Sequence, residues 1–289
     1  MGESAERHEA EVAAVKYALD IGYRMIDTAE LYGDGGCERM LSHALAAFGA
    51  ARRSELFIIS KVLPANMAYA DAVRSCEASI KRLGCEYLDL YFLHSRGQLP
   101  LEGTVRAFDE LLKRGLVRQI GVSNFDVDEL AMWRKTEERV GIRSRAKVNQ
   151  LLYRMDQRGV EYGLLDYQRA HGIQMMASEP LGTGSLPKHP LLIELGRERG
   201  VSAAQIALAW LLREPDVVVI PKAVQQQHIE DNLRALNLRL SPEELKRIDQ
   251  TFPLRHRWLK SNPVLRAARS TVRRVIRRIK GPPKGPSQP

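Results

Sequence analysis

Four side chains with complementary acid–base chemistry end, or closely follow, short apolar segments of this 289-residue chain. Asp27 ends the first such segment and Tyr32 follows it, Lys61 ends the second, and His94 ends the third. A phenol has a pKa near 10, and a nearby ammonium lowers that pKa because it favours the phenolate. A carboxylate keeps such an ammonium charged, and an imidazole can hydrogen-bond a carbonyl oxygen. The set suits proton donation to a carbonyl that receives hydride, and the hydride requires a nicotinamide cofactor because no side chain supplies it.

Each of these residues also has a purely structural interpretation. Asp27 and Lys61 can form a structural ion pair, Tyr32 can anchor a loop, and His94 can be a core histidine. Later apolar segments end in Ser123-Asn124, in Gln150 and in Pro221-Lys222, where Lys222 can be a solvated strand end. In repeated βα units the carboxyl ends of the strands meet at one face, so the whole series is expected at a common mouth.

Strand-like and helix-like patterns alternate along the chain and provide the elements that position these residues. Seven strands are predicted, at residues 23–28, 56–60, 87–93, 117–122, 146–150, 173–177 and 217–220. Helices are predicted at residues 9–21, 36–48, 69–83, 101–114, 126–134, 158–171, 191–199, 202–213 and 227–236. A last helix begins at Ser241-Pro242-Glu243-Glu244, which reads as a capping box with proline at the first helical position.

The repeated βα pattern fits either a doubly wound sheet or a (β/α)8 barrel. A dinucleotide-binding doubly wound fold is expected to carry GxGxxG after its first strand, and the glycines at residues 33–36 have a different spacing. The barrel is therefore favoured. It needs eight strands and only seven are predicted, because a helix opens the chain where a strand is expected.

In these residues the chain resembles the aldo-keto reductase family. Asp27, Tyr32, Lys61 and His94 occur in the family's order, at steps of 5, 29 and 33 residues. Three stretches add to the likeness: GYRMIDTA at 22–29, GVSNF at 121–125 and IPK at 220–222. The resemblance covers residues 8–252 and implies a (β/α)8 barrel that reduces aldehydes or ketones with NADPH.

The resemblance also implies a role for each matching residue. Tyr32 would be the general acid, Lys61 with Asp27 would tune it, and His94 would orient the carbonyl. The remaining matches would bind the cofactor. Ser123, Asn124 and Gln150 would hold the nicotinamide carboxamide, Leu181, Gly182 and Gly184 would lie in the loop around the pyrophosphate, and Lys222, His228 and Asn232 would face the 2′-phosphate and adenine. No metal site is expected.

Some positions depart from the family pattern. Ser178 stands where the family usually has an aromatic residue stacked on the nicotinamide, and Glu179 brings a carboxylate toward the phosphates. Ser95 stands where many relatives have tryptophan, which favours a small polar carbonyl substrate, such as a dicarbonyl. His228 replaces a common arginine and weakens the preference for the 2′-phosphate. NADPH remains the expected cofactor because Lys222 is kept, with NADH as the weaker alternative.

The family's N-terminal hairpin and first barrel strand have no counterpart in the sequence. We therefore expect a barrel that lacks its first strand, and we interpret Met1 as an internal methionine of a longer reading frame. A chain of this length alone would be weakly stable and weakly active. The alternative function is a non-enzymatic barrel that senses cofactor or is tethered to a membrane or nucleic acid.

The basic charge is concentrated at the C-terminal end. The chain has 44 basic and 35 acidic residues, yet residues 1–254 carry a net charge of −2 and residues 255–289 carry eleven Lys and Arg without an acid. Residues 1–254 are assigned to the barrel, which is not expected to bind nucleic acid, and 255–289 to a basic extension. Residues 263–280 have the pattern of a basic amphipathic helix. Three contacts are predicted for this helix as alternatives: an anionic membrane surface, nucleic acid, or the barrel itself.

Composition excludes other classes of protein. With 44% hydrophobic and 27% charged residues the chain is not disordered, and its longest apolar stretch is too short to span a membrane. No signal-peptide pattern opens the sequence, and its three cysteines form no CxxC pair, so a cytoplasmic protein with reduced thiols is expected. A monomer is the default expectation for its oligomeric state.

Overall fold

The computed structural model of the protein describes residues 1–2, 4–142 and 145–254. The strands are β1 (Met25–Asp27), β2 (Phe57–Val62), β3 (Leu88–Leu93), β4 (Val117–Ser123), β5 (Val148–Leu152), β6 (Gln174–Ser178) and β7 (Val217–Val219). They form one parallel sheet in the order β1-β2-β3-β4-β5-β6-β7. Within the residues that the structure describes, the prediction of seven strands is confirmed, and so is the barrel of the aldo-keto reductase type with one strand fewer than eight.

Helices connect the strands and cover one face of the sheet. They are α1 (His8–Asp20), α2 (Gly36–Phe48), α3 (Tyr69–Leu83), α4 (Leu101–Lys113), α5 (Val127–Val140), α6 (Leu164–Ala170), α7 (Pro190–Arg199), α8 (Ala203–Leu211), α9 (Gln226–Arg234) and α10 (Pro242–Thr251). The capping box predicted at Ser241 is present, with its hydroxyl accepting from the amide of Glu244. None of the described helices is both long and apolar enough to cross a membrane.

Two predicted helices differ from the structure by more than two residues at one end. The helix predicted at 158–171 is wrong over its first half, where a short 3₁₀ turn (Gly159–Glu161) precedes α6. Gly163 has φ 84°, a left-handed conformation that prevents one continuous helix. The helix predicted at 126–134 extends to Val140, where Gly141 at φ 77° ends it.

The sheet has an apolar core on each face. The larger core packs the strands against the helices and includes Trp133, whose ring centroid lies 5.9 Å from those of both Phe108 and Phe125. The smaller core contains strand residues alone, among them Ile59, Phe92 and other side chains from β3, β5 and β6. A side chain of β1 contacts one of β5, so the sheet curls and this second core lies inside the curl.

Residues 255–289 and the predicted amphipathic helix at 263–280 lie outside the described residues. The described part of the chain belongs to one unit, Met1–Leu254. The interpretation of the tail therefore stays a prediction.

Candidate active site

The two-residue period of the strands carries the polar residues to the mouth of the curled sheet. Alternate residues of a strand face the same side. Four polar residues each lie two positions after an inward-facing residue, in the pairs Ile59 and Lys61, Phe92 and His94, Gly121 and Ser123, and Val148 and Gln150. A Cβ at Gly121 would overlap the Phe92 ring, so glycine is needed there to admit that ring. The inner core thus supports the polar residues directly above it.

Asp27 and Lys61 form a buried ion pair at this mouth. Nζ of Lys61 donates to Oδ2 of Asp27 at 2.6 Å and to the carbonyl oxygen of Thr28 at 2.8 Å, and its side chain is fully buried. Oδ1 of Asp27 accepts from Nε2 of Gln150 at 2.9 Å. Burial acts to lower the pKa of Lys61, but Asp27 and Tyr32 outweigh it and the pKa is raised. Lys61 is therefore a charged ammonium at neutral pH.

Tyr32 and His94 lie beside this pair. Nζ of Lys61 is 5.2 Å from the centroid of the Tyr32 ring, and the Tyr32 and His94 rings meet edge to face with centroids 5.7 Å apart. Burial raises the pKa of Tyr32, while Lys61 opposes this effect without reversing it. Burial and the charge of Lys61 lower the pKa of His94 to about 3. The phenol and a neutral imidazole are therefore the forms present at neutral pH.

Ser123, Asn124 and Gln150 continue the same network. Nδ2 of Asn124 donates to the carbonyl oxygen of His94 and to Oγ of Ser123, both at 3.1 Å. The amide of Asn124 donates to the carbonyl oxygen of Gln150 at 2.8 Å, and Asn124 has φ 61°. The structure thus brings the four acid–base residues and these three polar residues into one chain of contacts.

The other predicted residues lie on the elements that follow β6 and β7. Leu181, Gly182 and Gly184 are in the turn directly after β6, and Gly182 and Gly184 have φ 60° and 91°. Lys222 is exposed after β7, His228 is exposed on α9, and Asn232 is buried on α9. The turn after β6 and Lys222 after β7 follow the carboxyl ends of their strands, whereas His228 and Asn232 lie within α9, and no hydrogen bond or ion pair among the described residues joins these residues to the network.

Three further residues of the site were not predicted, namely Thr28, Asn149 and Arg154. Thr28 holds Lys61 through its backbone carbonyl, a role without a side-chain signal. Nδ2 of Asn149 donates to the carbonyl oxygen of Phe125 at 2.9 Å and fixes the loop after β4. Its position in an apolar strand next to Gln150 could have predicted this role, because a buried side-chain amide needs a hydrogen-bond partner. Arg154 pairs with Glu179 across two loops.

Comparisons with known proteins settle the family. The model of the aldo/keto reductase family matches residues 2–252. The chain belongs to the aldo/keto reductase family. This aldo/keto reductase is 37% identical over 259 residues to methylglyoxal reductase YeaE of Escherichia coli, with 88% of each chain covered. It is 36% identical over 236 residues to glyoxal reductase of Bacillus subtilis, with 82% of this chain and 81% of that protein covered.

A solved structure agrees with this aldo/keto reductase along most of its length. The aldo-keto reductase from Klebsiella pneumoniae, crystallised in complex with NADPH, has a TM-score of 0.84 and 37% identity, with 91% of each chain covered. The family resemblance seen in the sequence is confirmed. The protein is accordingly an NAD(P)H-dependent oxidoreductase.

Proposed function

We propose that this aldo/keto reductase reduces a small aldehyde or ketone to an alcohol, with NADPH as cofactor and Tyr32 as proton donor. The observation that carries the proposal is the contact network of Asp27, Lys61, Tyr32 and His94 at the mouth of the sheet. NADPH supplies hydride to the carbonyl carbon when bound. The side chains then have to protonate the carbonyl oxygen.

Tyr32 fits the role of general acid. Its burial raises the pKa of the phenol, so the proton is in place at neutral pH. The ammonium of Lys61 lies 5.2 Å from the ring centroid and favours the phenolate that remains after proton transfer. Asp27 keeps the buried Lys61 charged, so it acts on the phenol through that ammonium.

His94 fits the role of a neutral hydrogen-bond donor to the carbonyl oxygen. Its imidazole stays uncharged because burial and Lys61 lower its pKa to about 3. Its edge-to-face contact with Tyr32, with ring centroids 5.7 Å apart, places the imidazole next to the proposed acid. Two donors on one oxygen stabilise the negative charge that develops there as hydride arrives.

The residues present fit a dinucleotide. Glu179, Gly182, Thr183 and Gly184 all have positive φ, a backbone conformation found in turns that bind phosphate. We assign Leu181, Gly182 and Gly184 to the pyrophosphate, and Ser123, Asn124 and Gln150 to the carboxamide.

We assign Lys222, His228 and Asn232 to the 2′-phosphate and adenine. The exposed ammonium of Lys222 favours NADPH over NADH. The NADPH complex of the Klebsiella relative supports the same cofactor.

We propose a small dicarbonyl such as methylglyoxal as the substrate. Ser95, half-buried directly after His94, is a small polar residue and leaves room for a polar substituent beside the carbonyl. The names of the Escherichia coli and Bacillus subtilis relatives, methylglyoxal reductase and glyoxal reductase, support this substrate class.

The test is NADPH consumption with methylglyoxal by the wild-type protein and by Tyr32→Phe. We expect the variant to lose activity by about 10²–10⁴-fold, the usual contribution of general acid catalysis, and to keep the wild-type Kd for NADP⁺. Tyr69→Phe is the matched control because Tyr69 is exposed on α3. Wild-type turnover in Tyr32→Phe would reject the assignment of the acid.

A further inference from the structure

An arginine from the loop after β5 holds the loop after β6. The side chain of Arg154 is 13% exposed, and its Nη1 donates to Oε2 of Glu179 at 3.2 Å. Its Nε donates to Oδ1 of Asp156 at 2.7 Å. Asp156 therefore fixes the guanidinium on its own loop, and Glu179 joins that guanidinium to the neighbouring loop.

Glu179 sets the path of the chain into residues 181–185, which we name the glycine turn. It directly follows β6 and has φ 50°, a left-handed conformation that is uncommon outside glycine. Its carbonyl oxygen accepts from the amide of Gly182 at 2.9 Å, so the rotation at Glu179 fixes where the glycine turn begins. A hold on the Glu179 side chain therefore helps to maintain a backbone conformation that is otherwise costly.

The guanidinium also lies against the glycine turn itself. A Cβ built on Gly182 would lie 3.7 Å from Cζ of Arg154 and 2.5 Å from Oγ of Ser185. That distance to Cζ is an ordinary van der Waals separation, so the guanidinium lies beside the turn at Gly182. Arg154 is thus close to the turn at Gly182 and is joined to its entrance through Glu179.

We propose that Arg154 and Glu179 form a clasp that holds the glycine turn in the conformation that receives the dinucleotide, with Arg154 as a positioning residue. The inference rests on the proposed function of that turn. The clasp also neutralises the Glu179 carboxylate, which otherwise repels phosphate. Arg154 makes its described contacts outside the network of Asp27, Lys61, Tyr32 and His94, so opening the clasp affects cofactor binding and leaves carbonyl binding unchanged.

The sign of the effect at Glu179 separates the clasp from simple electrostatics. If Glu179 acted only as a negative charge near phosphate, Glu179→Ala would tighten the binding of NADP⁺. If the clasp operates, Glu179→Ala weakens the binding of NADP⁺ because Arg154 no longer holds the glycine turn in place. Arg154→Met removes the other half of the same interaction and leaves the Glu179 carboxylate uncompensated, so the double variant is expected to bind no more weakly than Arg154→Met alone.

The experiment measures the Kd of NADP⁺ by calorimetry for the full-length wild-type protein, Arg154→Met, Glu179→Ala and the double variant. We expect each to bind about 3- to 5-fold more weakly than the wild type, the upper range for an ion pair whose Glu179 side chain is 52% exposed. We also expect the KM for NADPH to rise in that proportion and the KM for methylglyoxal to stay constant. Arg154→Lys keeps the charge and restores part of the affinity. Thermal melting confirms that each variant is folded.

Lys188→Met is the matched control because it removes one exposed positive charge just after the glycine turn. It is expected to keep the wild-type Kd within twofold. Tighter binding by Glu179→Ala, a double variant whose loss is the product of the single losses, or an equal loss in Lys188→Met would each overturn the clasp. A wild-type protein that fails to bind NADP⁺ would instead overturn the proposed function.

Discussion

Replacing Asp27 by asparagine tests whether the buried ion pair is held by charge. The change keeps the size of the side chain and removes its charge next to Lys61, which is fully buried. An amide has one oxygen, whereas the carboxylate accepts from Lys61 with one oxygen and from Gln150 with the other. Asp27→Asn therefore costs both the charge and one hydrogen-bond acceptor.

The size of the loss follows from the geometry. At the 2.6 Å separation of Nζ and Oδ2, two unit charges attract by about 6 kcal/mol at an effective dielectric constant of about 20. Asparagine regains part of this because its oxygen still accepts from the ammonium. We expect a loss of ~3–5 kcal/mol in the free energy of unfolding, the range for removing one partner of a buried pair. Such a loss is a large fraction of the free energy of unfolding of a typical domain, about 5–15 kcal/mol.

Urea-induced unfolding of three variants provides the assay. Lys61→Met removes the buried charge and fills the volume of the lysine side chain. Asp27 then keeps its hydrogen bond to Gln150, and its side chain is 10% exposed. We therefore expect Lys61→Met to lose less free energy of unfolding than Asp27→Asn. The double variant Asp27→Asn with Lys61→Met leaves no unpaired charge and is expected to be more stable than Asp27→Asn alone. A loss below about 1 kcal/mol in Asp27→Asn, or a double variant that is less stable still, would refute the reasoning.

The pH dependence sharpens this test. In the wild type the pKa of Lys61 is raised, so its contribution to stability persists at neutral pH and is lost only as pH rises above the ordinary value of about 10.4. In Asp27→Asn the largest effect that opposes burial is removed, so we expect burial to lower that pKa. The unfolded state then holds more protons than the folded state between the lowered value and about 10.4, so stability rises with pH there. The deficit of Asp27→Asn is expected to shrink from pH 7 to pH 9, and the double variant to show no such recovery.

Three other outcomes follow from the structure and the sequence. The pKa of His94 is lowered to about 3, so the folded state resists protonation of the imidazole, and the free energy of unfolding falls as pH drops below about 6.5. In urea titrations, His94→Gln is therefore expected to lose less stability than the wild type between pH 7 and pH 5. Gly121→Ala forces a Cβ into the ring of Phe92 and is expected to lower the free energy of unfolding by ~1–3 kcal/mol in the same assay. The membrane interpretation of the tail predicts that full-length protein co-sediments with anionic vesicles more than a chain lacking residues 255–289, and equal partitioning would remove that interpretation.

The order of strands and the positions of the acid–base residues were predictable because both follow from local patterns. Lys61 and His94 end apolar strands, and the two-residue period of a strand then fixes the face on which they lie. The capping box at Ser241 was predictable for the same reason, since its partner Glu244 is three residues away.

The features that escaped prediction depend on contacts between distant residues or on the backbone. Arg154 and Glu179 lie 25 residues apart and meet only because β5 and β6 are neighbours. The break in the predicted helix at 158–171 depends on the left-handed conformation of Gly163, which the apolar pattern does not encode. The pKa of Tyr32 was expected to be lowered by Lys61, whereas burial outweighs that charge, and burial is known only from the fold.

The sheet order has a consequence for the sequence of folding events. Every strand of the described sheet pairs with the strands next to it in the chain, as Met25 does with Phe57, so each backbone ladder closes a shorter loop, at a lower entropic cost, than the side-chain contacts across the molecule. The ties across the molecule are made by side chains: Asp27 with Gln150, 123 residues apart, and Tyr17 with Glu230, 213 residues apart. The catalytic mouth is therefore completed late in folding, and substitutions there should accelerate unfolding while leaving the rate of refolding nearly unchanged.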